Sequence, residues 1–216
     1  MARIRSFDAP HKGLRNILSK FSLLASQTDY SNIEDIALLK RLGNEMFLLL
    51  KDHVHTENEY TLIPLEARCH GAAAHDIHDH ELLELQQDKL ERMMQALDGT
   101  QNEEEGHRFY LEFTSYHSRY LQHIYEEETV TERLLQENFS DEELMAHRAS
   151  IMKRLELPVL FLWLKYVIPA QPRMQRLAML SAFKANAPKD AFAALLLVIE
   201  PEMNPLDYSI LRQQLQ

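Results

Sequence analysis

Apolar residues recur along the first two thirds of this chain at intervals of three, four and seven, and almost nowhere at intervals of two. That is the spacing of helices with one buried stripe. Leu14, Ile17, Leu18, Phe21 and Leu24 carry a first helix that opens near Pro10 and ends by the polar stretch Gln27 to Ser31. Ser31 with Glu34 reads as a capping box for a second helix reaching about Leu62, and Pro64 and Gly71 bracket the next connection. A third helix is predicted from about Ala73 to Leu97, stopped by Asp98 and Gly99, and a fourth from about Asn102 to Glu137. Four long helices with short connections predict an all-α, up-down-up-down four-helix bundle over residues 8–140. Beyond Ser140, which forms a second capping box with Glu143, the texture changes. Six of the eight prolines lie there and no glycine, so 141–216 reads as a C-terminal extension of short helices.

Charge and composition narrow the partners. Lys plus Arg number 23 against 33 Asp plus Glu, a formal charge of −10, which argues against nucleic acid or an anionic membrane as partner. The single cysteine, Cys69, excludes an internal disulfide framework and a cysteine-only zinc site, and it suits a reducing compartment. The segment Met1 to Phe7 is too short and mixed for a signal peptide, and the apolar run Leu157 to Ile168 is too short to span a bilayer. The expectation is a cytoplasmic protein. Five glycines among abundant Leu, Glu, Ala, Met and Gln agree with helix. No glycine-rich phosphate loop, Cys-His zinc spacing or Gly-x-Ser-x-Gly elbow is present.

The chemistry lies in the histidines: ten of eleven fall at or before position 123. In the second helix the stripe Ile36, Leu39, Met46, Leu50 continues in phase onto His53 and Glu57, whereas His55 and Glu59 fall on the outer face. In the fourth, Phe109, Phe113, Tyr116 and Tyr120 lead onto His123 and Glu127, with Glu126 and Glu128 to either side. Two helices thus each place a His and a Glu, four residues apart, on a face that should be oily. A buried carboxylate needs a partner, and a cation between the helices provides one.

Heights agree in an antiparallel bundle: counted from the turn near residue 100, His123 matches the cluster His75, His78 and His80 on the third helix. Counted from the turn near residue 29, His53 and His11 differ by roughly 9 Å at 1.5 Å per residue. The third-helix stripe Leu83, Leu90, Met94, Leu97 brings His80 nearest to phase, with His78 as a rival and His75 further out. His70, His107, His117 and His147 are assigned to surface or ordinary packing.

His11, His53-x3-Glu57, a histidine at 78 or 80, and His123-x3-Glu127 together resemble the hemerythrin-like (HHE cation-binding) family over roughly residues 8–140. The resemblance implies a non-haem, carboxylate-bridged pair of iron ions. His11 and His53 would bind one iron, His80 or His78 with His123 the other, and Glu57 and Glu127 would bridge. Oxygen-carrying hemerythrins supply a second third-helix histidine and a later aspartate where this chain has Glu128. Some relatives place a carboxylate where this chain has Val54. The sparser donor set turns the expectation from oxygen carriage toward sensing or redox chemistry, and the role expected is oxygen, redox or iron sensing or storage with O2, NO or peroxide as the small ligand. The competing readings are a di-iron oxidase or peroxidase, for which Tyr60, Tyr120 and Tyr125 are the nearest proton donors in sequence, and a metal-free helical interaction module. Zinc or manganese suits the same ligands. For 141–216 the readings are a flap over the bundle or a contact with a partner or a second copy through Phe161, Trp163, Leu164 and Tyr166.

Overall fold

The computed structural model describes residues 3–215; Met1 and Ala2 of the opening segment and Gln216 of the extension lie outside the described residues. The described chain is all-helical. Its long helices are α1 (Asp8–Gln27), α2 (Ile33–Glu57), α4 (Ala74–Ala96) and α5 (Glu103–Glu126). The shorter ones are α3 (Ile63–Arg68), α6 (Glu132–Asn138), α7 (Asp141–Arg154), α8 (Leu157–Val167), α9 (Arg173–Asn186), α10 (Lys189–Ile199) and α11 (Pro205–Gln214). None of them is long and apolar enough to cross a membrane.

Two compact units divide the chain. The first contains residues 3–8 and 17–154, the second 9–16 and 155–215. The change in sequence texture falls at 141, but α7 groups with the first unit because polar contacts fasten it there. Arg3 bonds Asp141 (2.7 Å), Arg68 pairs with Glu143, and Arg154 bonds Asp52 (2.9 Å) and Thr56. Phe7, Leu65, Leu135, Phe139 and Leu144 close an apolar cluster under these pairs.

Within the first unit α2 packs on α4 and α4 on α5. Phe21 sets its ring edge against Phe113 (centroids 4.6 Å apart) and also meets Phe47. Ile36, Leu39, Met46, Leu50, Leu83, Leu90, Met94, Phe109 and Phe113 are buried, the residues of the stripes read from the sequence. The second unit has a core of its own around Leu164, Ile168, Leu180, Leu195, Ile199 and Leu211. Gly13 lets the start of α1 lie against Val167, and Gln171 bonds the Ala9 carbonyl.

Helix ends follow local chemistry, with two departures from expectation. The side chain of Asp29 accepts from both the amide and the hydroxyl of Ser31, so the cap of α2 passes to Asn32, which accepts from Glu34 and Asp35. The second departure is at Pro64. The helical path does not stop there; a π-helical turn, Asn58–Leu62, follows α2 and leads into α3, with Pro64 in the first turn of α3, where its missing N–H matters little. A second π-helical turn, Glu127–Thr131, joins α5 to α6. The connection to α4 begins only at Cys69 and turns at Gly71, whose φ is +84°. Ser140 with Glu143 forms a capping box as the sequence suggested, and Asn102 with Glu105 forms another at the start of α5.

Gly43 is a point of close approach between the long helices, since a methyl group there would strike the Met94 sulfur and come within 2.9 Å of the Phe21 ring. Gly43→Ala should therefore cost about 1–3 kcal/mol through overpacking, although alanine favours helix, and thermal denaturation would show it as a lowered Tm.

Candidate metal centre

The C-terminal end of α2, the first turns of α4 and the C-terminal end of α5 bring five of the sequence-predicted residues into one buried group: His53, Glu57, His80, His123 and Glu127. Glu57, His80, His123 and Glu127 each offer a ligand atom, all within 4.8 Å of one another, and so do His53, Glu57 and Glu127. Donors about 2.1 Å from one ion are at most about 4.2 Å apart, so the spacing is on the scale of a metal shell. The two sets share both glutamates. One oxygen of Glu57 lies 3.2 Å from His53 Nε2 and 3.4 Å from His80 Nε2; one oxygen of Glu127 lies 3.4 Å from His80 Nε2 and 3.2 Å from His123 Nε2. These buried His/Glu clusters can hold a metal ion.

Steps of four residues bring both carboxylates inward, and the π-helical turns keep that rhythm going. Buried positions run His53, Glu57, Thr61, Leu65 on one path and His123, Glu127, Thr131, Leu135 on the other. In an α-helix four residues overshoot one turn, so such a series drifts round the helix. In a π-turn, bonded i to i+5, four residues fall short of one turn and the drift is reversed. Both π-turns begin at or directly after the glutamate of a His-x3-Glu pair.

The third-helix alternatives separate cleanly. His80 is 1% exposed and faces the carboxylates. His78 points outward, its side chain 66% exposed and 3.9 Å from Glu81, outside both sets. His75 is also outward, forming with Asp79 and Glu126 a separate, partly exposed group in which it bonds Glu126 at 2.8 Å. His11 is buried on the first turns of α1, in the segment 9–16 that belongs to the second unit. His55 and Glu59 are exposed, as their phase requires.

Several neighbours escaped the sequence reading. His80 Nδ1 sits 2.8 Å from the Asn58 side-chain oxygen. That oxygen only accepts, so Nδ1 carries the hydrogen and Nε2 is the nitrogen turned to the carboxylates. Asp79 places an oxygen 3.6 Å from His123 Nδ1. Asp76, also buried, accepts from the Thr131 hydroxyl at 2.6 Å. Its position four residues before His80 repeats the acid–histidine spacing of the other helices, and that spacing could have revealed it.

Two buried carboxylates leave this group in need of balancing positive charge. His80 Nε2 and His123 Nε2 are buried beside carboxylate oxygens, yet neither makes a well-directed hydrogen bond. Converging donor atoms of this kind fit a cation set between them. In its absence protons take that role: burial pulls His80 toward the neutral form, but Glu127 and Glu57 outweigh it and raise its pKa to about 10. His123 is raised by the same contest: burial pulls it down most, but Glu127 and Glu57 together outweigh burial and the nearby His80. Burial lifts Asp76, partly offset by Thr131, and burial together with Tyr116, Glu57 and Glu127 lifts Tyr120 well above a normal phenol.

A sign follows for pH. The attraction between protonated His80 and its carboxylates stabilises the metal-free fold fully below the ordinary imidazole value of 6.5 and is lost as pH rises through about 10. A metal must displace that proton, so its affinity should climb as pH rises toward 10 and its binding at neutral pH should release protons. Melting curves against pH with chelator, and calorimetric titration in buffers of different ionisation enthalpy, would measure the two effects.

No family model matches the chain, and no solved structure matches it. Among curated proteins, F-box/LRR-repeat protein 5 of Xenopus laevis is 27% identical over 143 residues, covering 64% of this chain. The match takes in only 20% of that protein's own length.

Proposed function

We propose that the first unit is a hemerythrin-like four-helix bundle that holds a carboxylate-bridged pair of iron ions and binds O2, NO or a related small oxidant in a sensing or storage role. The observation that carries this reading is the sharing of Glu57 and Glu127 between two overlapping donor sets. One carboxylate near two imidazoles from different helices is an arrangement that a bridged ion pair can use, and mixed nitrogen and oxygen donors suit iron. On this reading His53 serves one ion and His80 with His123 the other, with Glu57 and Glu127 between them. Asn58 fixes the His80 ring, and Asp79 stands behind His123. Iron, when bound, supplies the redox chemistry and an open position for a small ligand; the chain supplies a dry site and a fixed donor geometry. The likeness to a fifth of a longer protein suits a module that serves within other architectures.

Loading the protein with ferrous iron under anaerobic conditions, then measuring metal content and the optical spectrum before and after air, tests the reading. About two iron ions per chain are expected, with a new near-ultraviolet or visible band on oxidation. Glu127→Ala should abolish stoichiometric loading, Asn58→Leu should weaken iron about tenfold or more, and His78→Ala should leave loading unchanged. A folded wild-type chain that retains no iron would overturn the proposal.

A further inference from the structure

Along the inner face of α5 two tyrosines follow one another, and they differ in one respect. The Tyr116 hydroxyl lies 3.2 Å from the side-chain oxygen of Gln87, whose amide in turn bonds the Phe47 carbonyl. Tyr120 is 0% exposed and its hydroxyl has no hydrogen-bond partner. Leaving a buried hydroxyl unpaired is unfavourable, a cost that phenylalanine at the same position would avoid. The place of the hydroxyl suggests what it serves. Tyr120 sits one helical turn before His123, ring edge to ring face with centroids 6.1 Å apart, and near enough for Glu57 and Glu127 to act on it electrostatically. The other two tyrosines close in sequence fall away: Tyr125 is exposed, and Tyr60 lies under the Arg154 guanidinium.

We propose that the Tyr120 hydroxyl is the hydrogen-bond donor that the protein offers to a small ligand bound at the His80–His123 side of the centre. The inference rests on the two-metal reading and adds to it a ligand class: an anion or polarised species of two or three atoms with an accepting oxygen or nitrogen. A phenol keeps its proton at neutral pH and therefore serves as donor. Of the buried hydroxyls on this face of α5, Tyr116 is already engaged, which leaves Tyr120 to meet the ligand.

Tyr120→Phe removes the oxygen alone. With chelator present, the metal-free variant should melt at the wild-type temperature or above, because no bond within the protein is lost. Loaded with iron and oxidised, it should keep the wild-type metal content but bind azide, used as the probe and followed by its optical band, about tenfold more weakly. A fall in the metal-free melting temperature would show that the hydroxyl is paired inside the protein and would overturn the inference. Normal loading with unchanged azide affinity would overturn it too, while leaving the two-metal reading intact. A wild-type chain that takes up no iron overturns both.

Discussion

Glu57 and Glu127 are carboxylates placed where water does not reach, and taking a charge of that size out of water costs several kcal/mol unless something opposite in sign stands beside it. The histidines answer that cost in the metal-free chain by holding protons they would otherwise release. A cation between the same atoms answers it without them. The side chains around the pair all bear on this balance: Asn58 turns one imidazole, Asp79 backs another, and Asp76 with Thr131 fills the space beyond. The apolar packing of α2, α4 and α5 excludes water and so gives the pair its consequence.

Most of this was legible from phase alone. His53 and Glu57 turn inward while His55 and Glu59, with identical spacing, turn outward, because two residues along a helix move a side chain to the other face. His78 and His80 separate for the same reason, although the irregular start of a helix had left that choice open. Helix existence and the stripes of the core also followed from spacing. The path beyond the glutamates did not. A proline at 64 is an ordinary stop signal, and nothing in the letters tells that a widened turn upstream lets the helical path continue through it. The cap of α2 moved by one residue because Asp29, a neighbour in the turn, had already taken up Ser31.

The parting of the units was hidden for a different reason. Proline content shifts at residue 141, yet α7 belongs with what precedes it, held by Arg3, Arg68 and Arg154. Long side chains reaching across many positions of sequence leave no periodic trace. Composition marks where the chain changes character, whereas pairing decides with which core a helix is counted.

The two π-helical turns have a further meaning for how such a chain can vary. A widened turn amounts to one residue more than the α-helix needs, so it joins two helical stretches whose rotations are set separately. Upstream, the orientation of His53 and His123 is locked to the stripes of α2 and α5; downstream, Leu65 and Leu135 answer to the cluster with Phe7, Phe139 and Leu144. Each turn works as a rotary joint. The far ends of these helices can be refitted against new neighbours while the glutamates keep their aim.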